Sequence, residues 1–180
     1  MLASLGALGG TVSGPERGVF RAVNGLPDAL ERPMWALQLL GVLVTTLVAA
    51  LVMAALRRWR TALALAALAP LKLVAERQVV KKLLERQRPG QNEPGAVLRD
   101  VPPAGLSYPS GHAIIAVGIA TLLWPYLGRA GRVAAVVLAA GVCVARVYLG
   151  AHNPLDVVAG AGLGLLLGGL LTLVVGVHRR

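Results

Sequence analysis

Arg146-Val147-Tyr148-Leu149-Gly150-Ala151-His152-Asn153-Pro154-Leu155-Asp156 joins two of the most apolar stretches of the chain, Val133–Leu149 before it and Pro154–Val177 after it. Each flank approaches the ~20 mostly apolar residues that a helix needs to cross a bilayer. Charged side chains are costly in such surroundings, so Arg146, His152 and Asp156 carry information by their position alone. His152 and Asp156 are four residues apart, which puts them on one face if a helix starts near Pro154. A carboxylate at that distance can hold one imidazole nitrogen and leave the other free to attack, the base–orienter logic of catalytic triads. A purely structural His–Asp pair is the competing reading.

Working outward, three more stretches read as spans: Met34–Leu56, Thr61–Val80 and His112–Leu127. Thr61–Val80 is apolar to Leu71 and then meets Lys72, Glu76 and Arg77, as expected of a span that turns polar where it nears a site. Residues 1–14 are short, apolar and glycine-rich, without the basic flank of a signal peptide. Residues 15–33 place Val19, Phe20, Val23 and Leu26 on one side, with Glu16, Arg17, Arg21 and Asp28 elsewhere. That is the pattern of an interfacial amphipathic helix ending near Pro27. The expected architecture is all-α: a multi-pass transmembrane helical bundle with an N-terminal interfacial segment at 1–33 and a membrane domain at 34–180. About five spans are expected, with a sixth drawn from the N-terminal region as the alternative.

Composition agrees. Apolar residues make up 56% of the 180 and charged residues 14%, where a soluble domain carries about a quarter charged. The net charge of +10 could suggest nucleic acid, but the cations are scattered between apolar runs and aromatic content is only 4%. Nucleic-acid binding is therefore disfavoured, and a membrane protein with an anionic substrate fits better. The single cysteine, Cys143, cannot form an internal disulfide and reads as a small hydrophobe in a helix.

Arg57, Arg58 and Arg60 lie between the first two spans, Arg129 and Arg132 between the third and fourth, and Arg179 and Arg180 after the fifth. These segments share one side of a five-span arrangement and contain no acid, so the positive-inside rule makes them cytoplasmic. Residues 81–110 and 150–153 then face outward. The last span carries Gly160, Gly164 and Gly168 on one face, a spacing that lets helix backbones approach closely. Packing within the bundle is the default reading, and a homodimer interface is the alternative.

Two further polar clusters fall at the same end as His152. Lys81-Lys82-Leu83-Leu84-Glu85-Arg86-Gln87-Arg88-Pro89 closes the second span; taken alone it could be a basic helix end snorkelling to headgroups. Pro109-Ser110-Gly111-His112 precedes the third span. There Ser110 could be an ordinary N-cap, yet free N–H groups at a helix start also bind anions, and a histidine so placed can donate a proton to a bound phosphate.

Together the three clusters resemble the type 2 phosphatidic acid phosphatase superfamily, the lipid phosphate phosphatases whose site is shared with vanadium haloperoxidases. That family has a Lys, six residues and Arg-Pro; then Pro-Ser-Gly-His; then Ser-Arg, five residues, His, three residues and Asp. Lys81 and Arg88-Pro89 fit the first, Pro109–His112 the second, and Arg146, His152 and Asp156 the third, with Ala145 standing where the family has Ser. The family commonly has six spans. The resemblance implies that Lys81, Arg88 and Arg146 clamp the phosphate oxygens, helped by Ser110 and the Gly111 N–H. It implies that His152, oriented by Asp156, is the nucleophile and that His112 is the acid and then the base. No metal or other cofactor is implied, and the third histidine, His178, sits at the opposite end.

Only 19 residues, Gly90–Tyr108, separate the first motif from the second, leaving no inserted domain to read an elaborate head group. The resemblance favours a polyprenyl diphosphate in the plasma membrane, recycled for envelope synthesis, with the site on the extracytoplasmic face. Phosphatidylglycerol phosphate, phosphatidic acid and a polyprenyl-phosphoryl sugar phosphate remain open as substrates. A haloperoxidase would use nearly the same site but is a soluble enzyme. A non-catalytic lipid-phosphate-binding or transport protein would need the cations but not the paired histidines.

Overall fold

The structure is a computed structural model that describes residues 11–76 and 84–176. Lys81 and His178, singled out above, lie outside the described residues. Seven helices of two or more turns organise what is described: α1 (Gly14–Asn24), α2 (Glu31–Gln38), α3 (Leu43–Ala55), α4 (Trp59–Leu73), α5 (Gly111–Leu123), α6 (Arg129–Tyr148) and α7 (Pro154–Val175). Among the described residues no β-strand forms, and the long connection from 84 to 110 is a loop holding one helical turn, Pro89–Asn92.

Local chemistry sets the helix ends. Asn153 and Asp156 form a reciprocal capping box at the start of α7, with Pro154 at its first position, and Gly176 closes it in the left-handed region at φ 63°. Ser13 caps α1, accepting from the Glu16 N–H at 3.4 Å. Between α6 and α7 the chain turns at Gly150, whose φ of 77° and approach to the Val97 carbonyl would oppose any side chain there.

α5 and α7 share the most extensive interface. Gly160, Gly164 and Gly168 face α5, where a Cβ on each would come within 2.5 Å of the Ser110 carbonyl, 2.6 Å of the Ile114 carbonyl and 2.8 Å of Thr121 Cβ. The glycine face is thus consumed within the bundle, and the alternative of a homodimer through it is corrected: that surface is not free. The main apolar core joins α3, α4, α5 and α7 through Met53, Leu65, Leu68, Ile115, Leu122 and Leu171.

Large apolar side chains are exposed along the helices, while a set of charged side chains is buried. Val44, Leu51, Leu63, Val137, Leu165 and Leu173 are exposed, while Lys72, Arg86, Arg146, His152 and Asp156 are buried. Such a surface suits lipid and not water, which makes this a membrane protein. α6 and α7, of 20 and 22 residues, are each long and apolar enough to cross a bilayer. The span expected at Met34–Leu56 is not one straight helix: α2 with its 3-10 extension and α3 meet at a 60° bend. The break falls at Gly41, whose backbone packs against His112, so that a Cβ there would stand 2.8 Å from the His112 Cβ. α4, at 15 residues, spans only about 22 Å and continues into a π-helical turn at residues 74–76.

The N-terminal segment also differs from expectation. α1 ends at Asn24 and buries Glu16, Phe20 and Asn24, while Val19 is 54% exposed. Its buried stripe, four residues apart, docks on α6 and α7, because each polar member has partners inside. Asn24 Nδ2 donates to the Val97 and Tyr148 carbonyls at 2.8 and 2.9 Å, and its Oδ1 accepts from the Val97 N–H at 2.8 Å.

At the end of the bundle remote from His152, Arg58 stacks on Tyr126 and Arg132 on Trp124, and Arg60 donates to the Gly176 carbonyl. The arginines of the two Arg-only connections thus share that end.

Candidate active site

Five structural ends converge at the other pole of the bundle: the α2–α3 break, the end of α4, the 84–110 loop, the start of α5, and the turn from α6 into α7. Backbone bonds tie the motifs together. The Ser110 N–H donates to the Asp156 carbonyl at 2.9 Å, joining the start of α5 to the start of α7. Arg88 Nη1 donates to the Ala151 carbonyl at 3.2 Å, placing that guanidinium beside the His152 turn. The loop that carries Arg88 is pinned by Arg88 N–H to the Gly105 carbonyl at 3.0 Å and Ser107 N–H to the Arg86 carbonyl at 2.8 Å.

Of the residues expected in the site, the structure brings together Arg88, Ser110, Gly111, His112, Arg146, His152 and Asp156. His152 is buried, with its Nδ1 at 3.7 Å from Asp156 Oδ2. That is beyond hydrogen-bond range, so the pair interacts through charge and the ring nitrogen makes no hydrogen bond. Burial pushes the His152 imidazole down to about 4 from an ordinary 6.5; Arg146 and Arg88 push the same way, against Asp156. Its ring is therefore neutral at neutral pH. The charges of Arg146, Lys72 and Arg88, together with His152, all bear on His112, which fixes that imidazole within the same cluster.

Ser110 occupies the N-cap position of α5, but its hydroxyl does not cap; Oγ is buried without a hydrogen bond. It is therefore not the ordinary N-cap that the sequence allowed. The guanidinium of Arg146 donates from Nη1 to Gln38 Oε1, and its Nε is also buried without a partner. Arg88 is held below the usual arginine range by burial, with Asp156 and Glu76 pulling back. Ala145, the departure from the motif, is fully buried next to Arg146.

Sequence reasoning missed three residues here. Lys72, ion-paired with Glu76, lies against Gly111, where a Cβ would stand 2.5 Å from Lys72 Nζ. The polar end of the second span was the signal for it. Arg86 is wholly buried and bridges Asp156 Oδ1 at 3.0 Å and Glu16 Oε2 at 2.5 Å. Burial weakens its charge, but these two carboxylates outweigh that and raise its pKa. Glu16 gave no signal, because an amphipathic reading turns it outward. Arg99, in contrast, serves the scaffold: it stacks on Tyr148 at 4.1 Å and donates to the Tyr148 carbonyl at 2.8 Å and Asp28 at 2.9 Å.

The chain is similar to several known proteins. A decaprenylphosphoryl-5-phosphoribose phosphatase of Mycobacterium tuberculosis is 36% identical over 103 residues, which cover 57% of this chain and 55% of that protein. An undecaprenyl-diphosphatase of Sulfolobus acidocaldarius is 39% identical over 93 residues, covering 48% of this chain and 42% of that protein. The chain thus matches about half the length of each. Among solved structures, a transmembrane PAP2-type phosphatidylglycerolphosphate phosphatase from Bacillus subtilis superposes with a TM-score of 0.69 at 28% identity, over 88% of this chain and 83% of that one. Aquifex aeolicus LpxE shares the fold, with a TM-score of 0.67 at 21% identity over 86% of this chain and 92% of that one. The sequence model of the PAP2 superfamily matches residues 38–180, a stretch that holds every expected site residue, and the chain belongs to that superfamily.

Proposed function

We propose that this protein is a membrane phosphatase that hydrolyses a lipid-linked phosphate or diphosphate through a phosphohistidine on His152. The observation that carries the reading is the gathering of a neutral buried imidazole, a carboxylate 3.7 Å behind it, and the cations Arg88 and Arg146 around a second imidazole. Phosphoryl transfer is mostly positioning and charge stabilisation, and fixed guanidinium groups supply both.

Nδ1 of His152 faces Asp156, so Nε2 is the attacking atom. Its lone pair forms the N–P bond as the P–O bond to the lipid breaks. His112 gives its proton to the departing oxygen; a phosphate dianion bound beside it favours the imidazolium needed for that step. Arg88, Arg146 and, by its motif position, Lys81 hold the non-bridging oxygens, with the Ser110 hydroxyl and the Gly111 N–H adding hydrogen bonds. Asp156 balances the cationic ring of the phosphohistidine. Water then attacks phosphorus, His112 takes its proton, and inorganic phosphate leaves as His152 becomes neutral again.

The preferred substrate is a polyprenyl diphosphate. The Sulfolobus relative named for undecaprenyl diphosphate supports it, the Mycobacterium relative supports the polyprenyl tail, and the short Gly90–Tyr108 connection suits a small head group. A polyprenyl-phosphoryl sugar phosphate, favoured by the Mycobacterium relative, is the second reading. The protein resides in the plasma membrane with its site outward, because Arg57, Arg58, Arg60, Arg129 and Arg132 occupy the opposite end. Phosphate release by the purified protein from a panel of polyprenyl diphosphate, polyprenyl-phosphoryl sugar phosphate, phosphatidylglycerol phosphate and phosphatidic acid tests this. Release from none of them would refute the phosphatase, and a clear preference for a glycerolipid would refute the polyprenyl assignment.

A further inference from the structure

We propose that Glu16, on a helix outside the family-matched stretch, is a positioning residue of the site that acts on Asp156 through Arg86. The inference rests on the phosphohistidine reading given above. The matched stretch begins at residue 38, so the motifs do not assign Glu16. Yet its side chain is 3% exposed and pairs with the buried Arg86. Oε2 accepts from Arg86 Nη2 at 2.5 Å, and Arg86 Nη1 donates to Asp156 Oδ1 at 3.0 Å. The other oxygen of Asp156 accepts from the Asn153 N–H at 2.8 Å and stands behind His152. Glu16 Oε1 meanwhile accepts from the Leu155 N–H at 3.0 Å, in the same first turn of α7.

Charge counting gives the reason for the arrangement. Arg86 and Asp156 alone would form a closed neutral pair, and the carboxylate would have little charge left for an imidazole 3.7 Å away. Adding Glu16 makes one buried guanidinium face two buried carboxylates, a group with net charge −1. Asp156 then keeps a negative field directed at His152, where the ring becomes cationic as Nε2 bonds to phosphorus. Burying three ionised groups is costly unless they are mutually satisfied. The bond to Leu155 also fixes the register of the turn that carries Asp156. A helix serving only as an anchor would need the burial of Phe20 but not a carboxylate on this guanidinium.

The test uses full-length protein in nanodiscs and phosphate release from a polyprenyl diphosphate, with kcat referred to the folded fraction isolated by size exclusion. Glu16→Gln keeps the size and an acceptor for Leu155 but removes the charge. The expected result is a kcat loss of roughly 10- to 100-fold, the range seen when the partner of a site-orienting group is removed, with KM within about twofold. Glu16→Asp, which keeps the charge, recovers most of that rate. In an Arg86→Met background, Glu16→Gln costs little more. Wild-type kcat in folded Glu16→Gln, equal losses for the Gln and Asp variants, or the same loss in both backgrounds would each overturn the inference. Turnover that survives His152→Ala would instead sink the underlying phosphohistidine reading.

Discussion

Oδ2 of Asp156 stands 3.7 Å from Nδ1 of His152, too far for a hydrogen bond and near enough for charge to act. The ring is held by its own burial and by its backbone, whose N–H reaches the Arg146 carbonyl at 3.3 Å, and the carboxylate is held separately by Arg86 and Asn153. Removing the imidazole therefore leaves the cap of α7 intact. His152→Ala is expected to lose about 10³-fold or more of kcat, with unchanged expression and an unchanged elution volume. Labelling with a ³²P-substrate, quenched in alkaline detergent that preserves the acid-labile P–N bond, should trap a phosphoenzyme in the wild type and none in the variant. Label retained in His152→Ala would assign the nucleophile elsewhere.

The pH dependence of the proposed nucleophile follows from its burial. The His152 imidazole is held down at about 4 in the folded protein, against 6.5 when exposed. It should therefore stay neutral as pH falls through 6 and take up its proton only near 4. The sign for stability follows too: the unfolded chain binds this proton first, so the contribution of His152 is intact above 6.5 and falls as pH drops toward 4. Histidine ¹⁵N spectra in nanodiscs, with the His152 signal identified by its loss in His152→Asn, should show a neutral ring at pH 5.5. A midpoint near 6.5 would contradict the buried placement.

In the proposed mechanism, cations from the protein neutralise the transferring phosphate. Arg88 and Arg146 lie within the electrostatic reach of His112, as does Lys72. Millimolar chelator is expected to change kcat by less than about twofold, since fixed guanidinium groups carry the charge stabilisation. Vanadate, a trigonal-bipyramidal mimic of the phosphate in transfer, should inhibit competitively and bind far more weakly to Arg146→Met. Full loss of activity on chelation, restored by a divalent metal, would require a different accounting of charge.

Much of this was legible from the chain because lipid makes polarity expensive. His112, Arg146, His152 and Asp156 stood out against apolar runs, and their spacing brought them to one end of a helical bundle. The glycine spacing of the last helix likewise foretold close packing, which the structure places against α5. Three features were not legible. The bend at Gly41 comes from a tertiary approach of His112 that no local pattern encodes. Lys72 reads as the polar end of a span nearing a site, but nothing in the sequence gives its ion pair with Glu76 or its burial against Gly111. Glu16 reads as part of the polar side of residues 15–33, because amphipathic reasoning cannot foresee a buried arginine 70 residues away that needs a second carboxylate.

Packing and assembly can be told apart along α7. A Cβ on Gly164 would meet the Ile114 carbonyl at 2.6 Å and the Gly118 N at 3.1 Å, both backbone atoms that cannot rotate aside. Gly164→Ala must then push α7 away from α5, and overpacking of this kind costs about 1–3 kcal/mol. The displacement also shifts Asp156, because the Ser110 N–H bond to its carbonyl crosses the same interface. Gly162, two residues away, has open space where a Cβ would go, with nothing within 4 Å, so Gly162→Ala is the matched control. Thermal unfolding in detergent should show a lowered midpoint for Gly164→Ala and none for Gly162→Ala, with activity falling in step with the first. Mass photometry should give the same oligomeric state for both variants and the wild type. A Gly164→Ala protein of wild-type stability but altered oligomeric state would return that face to a role between copies of the chain.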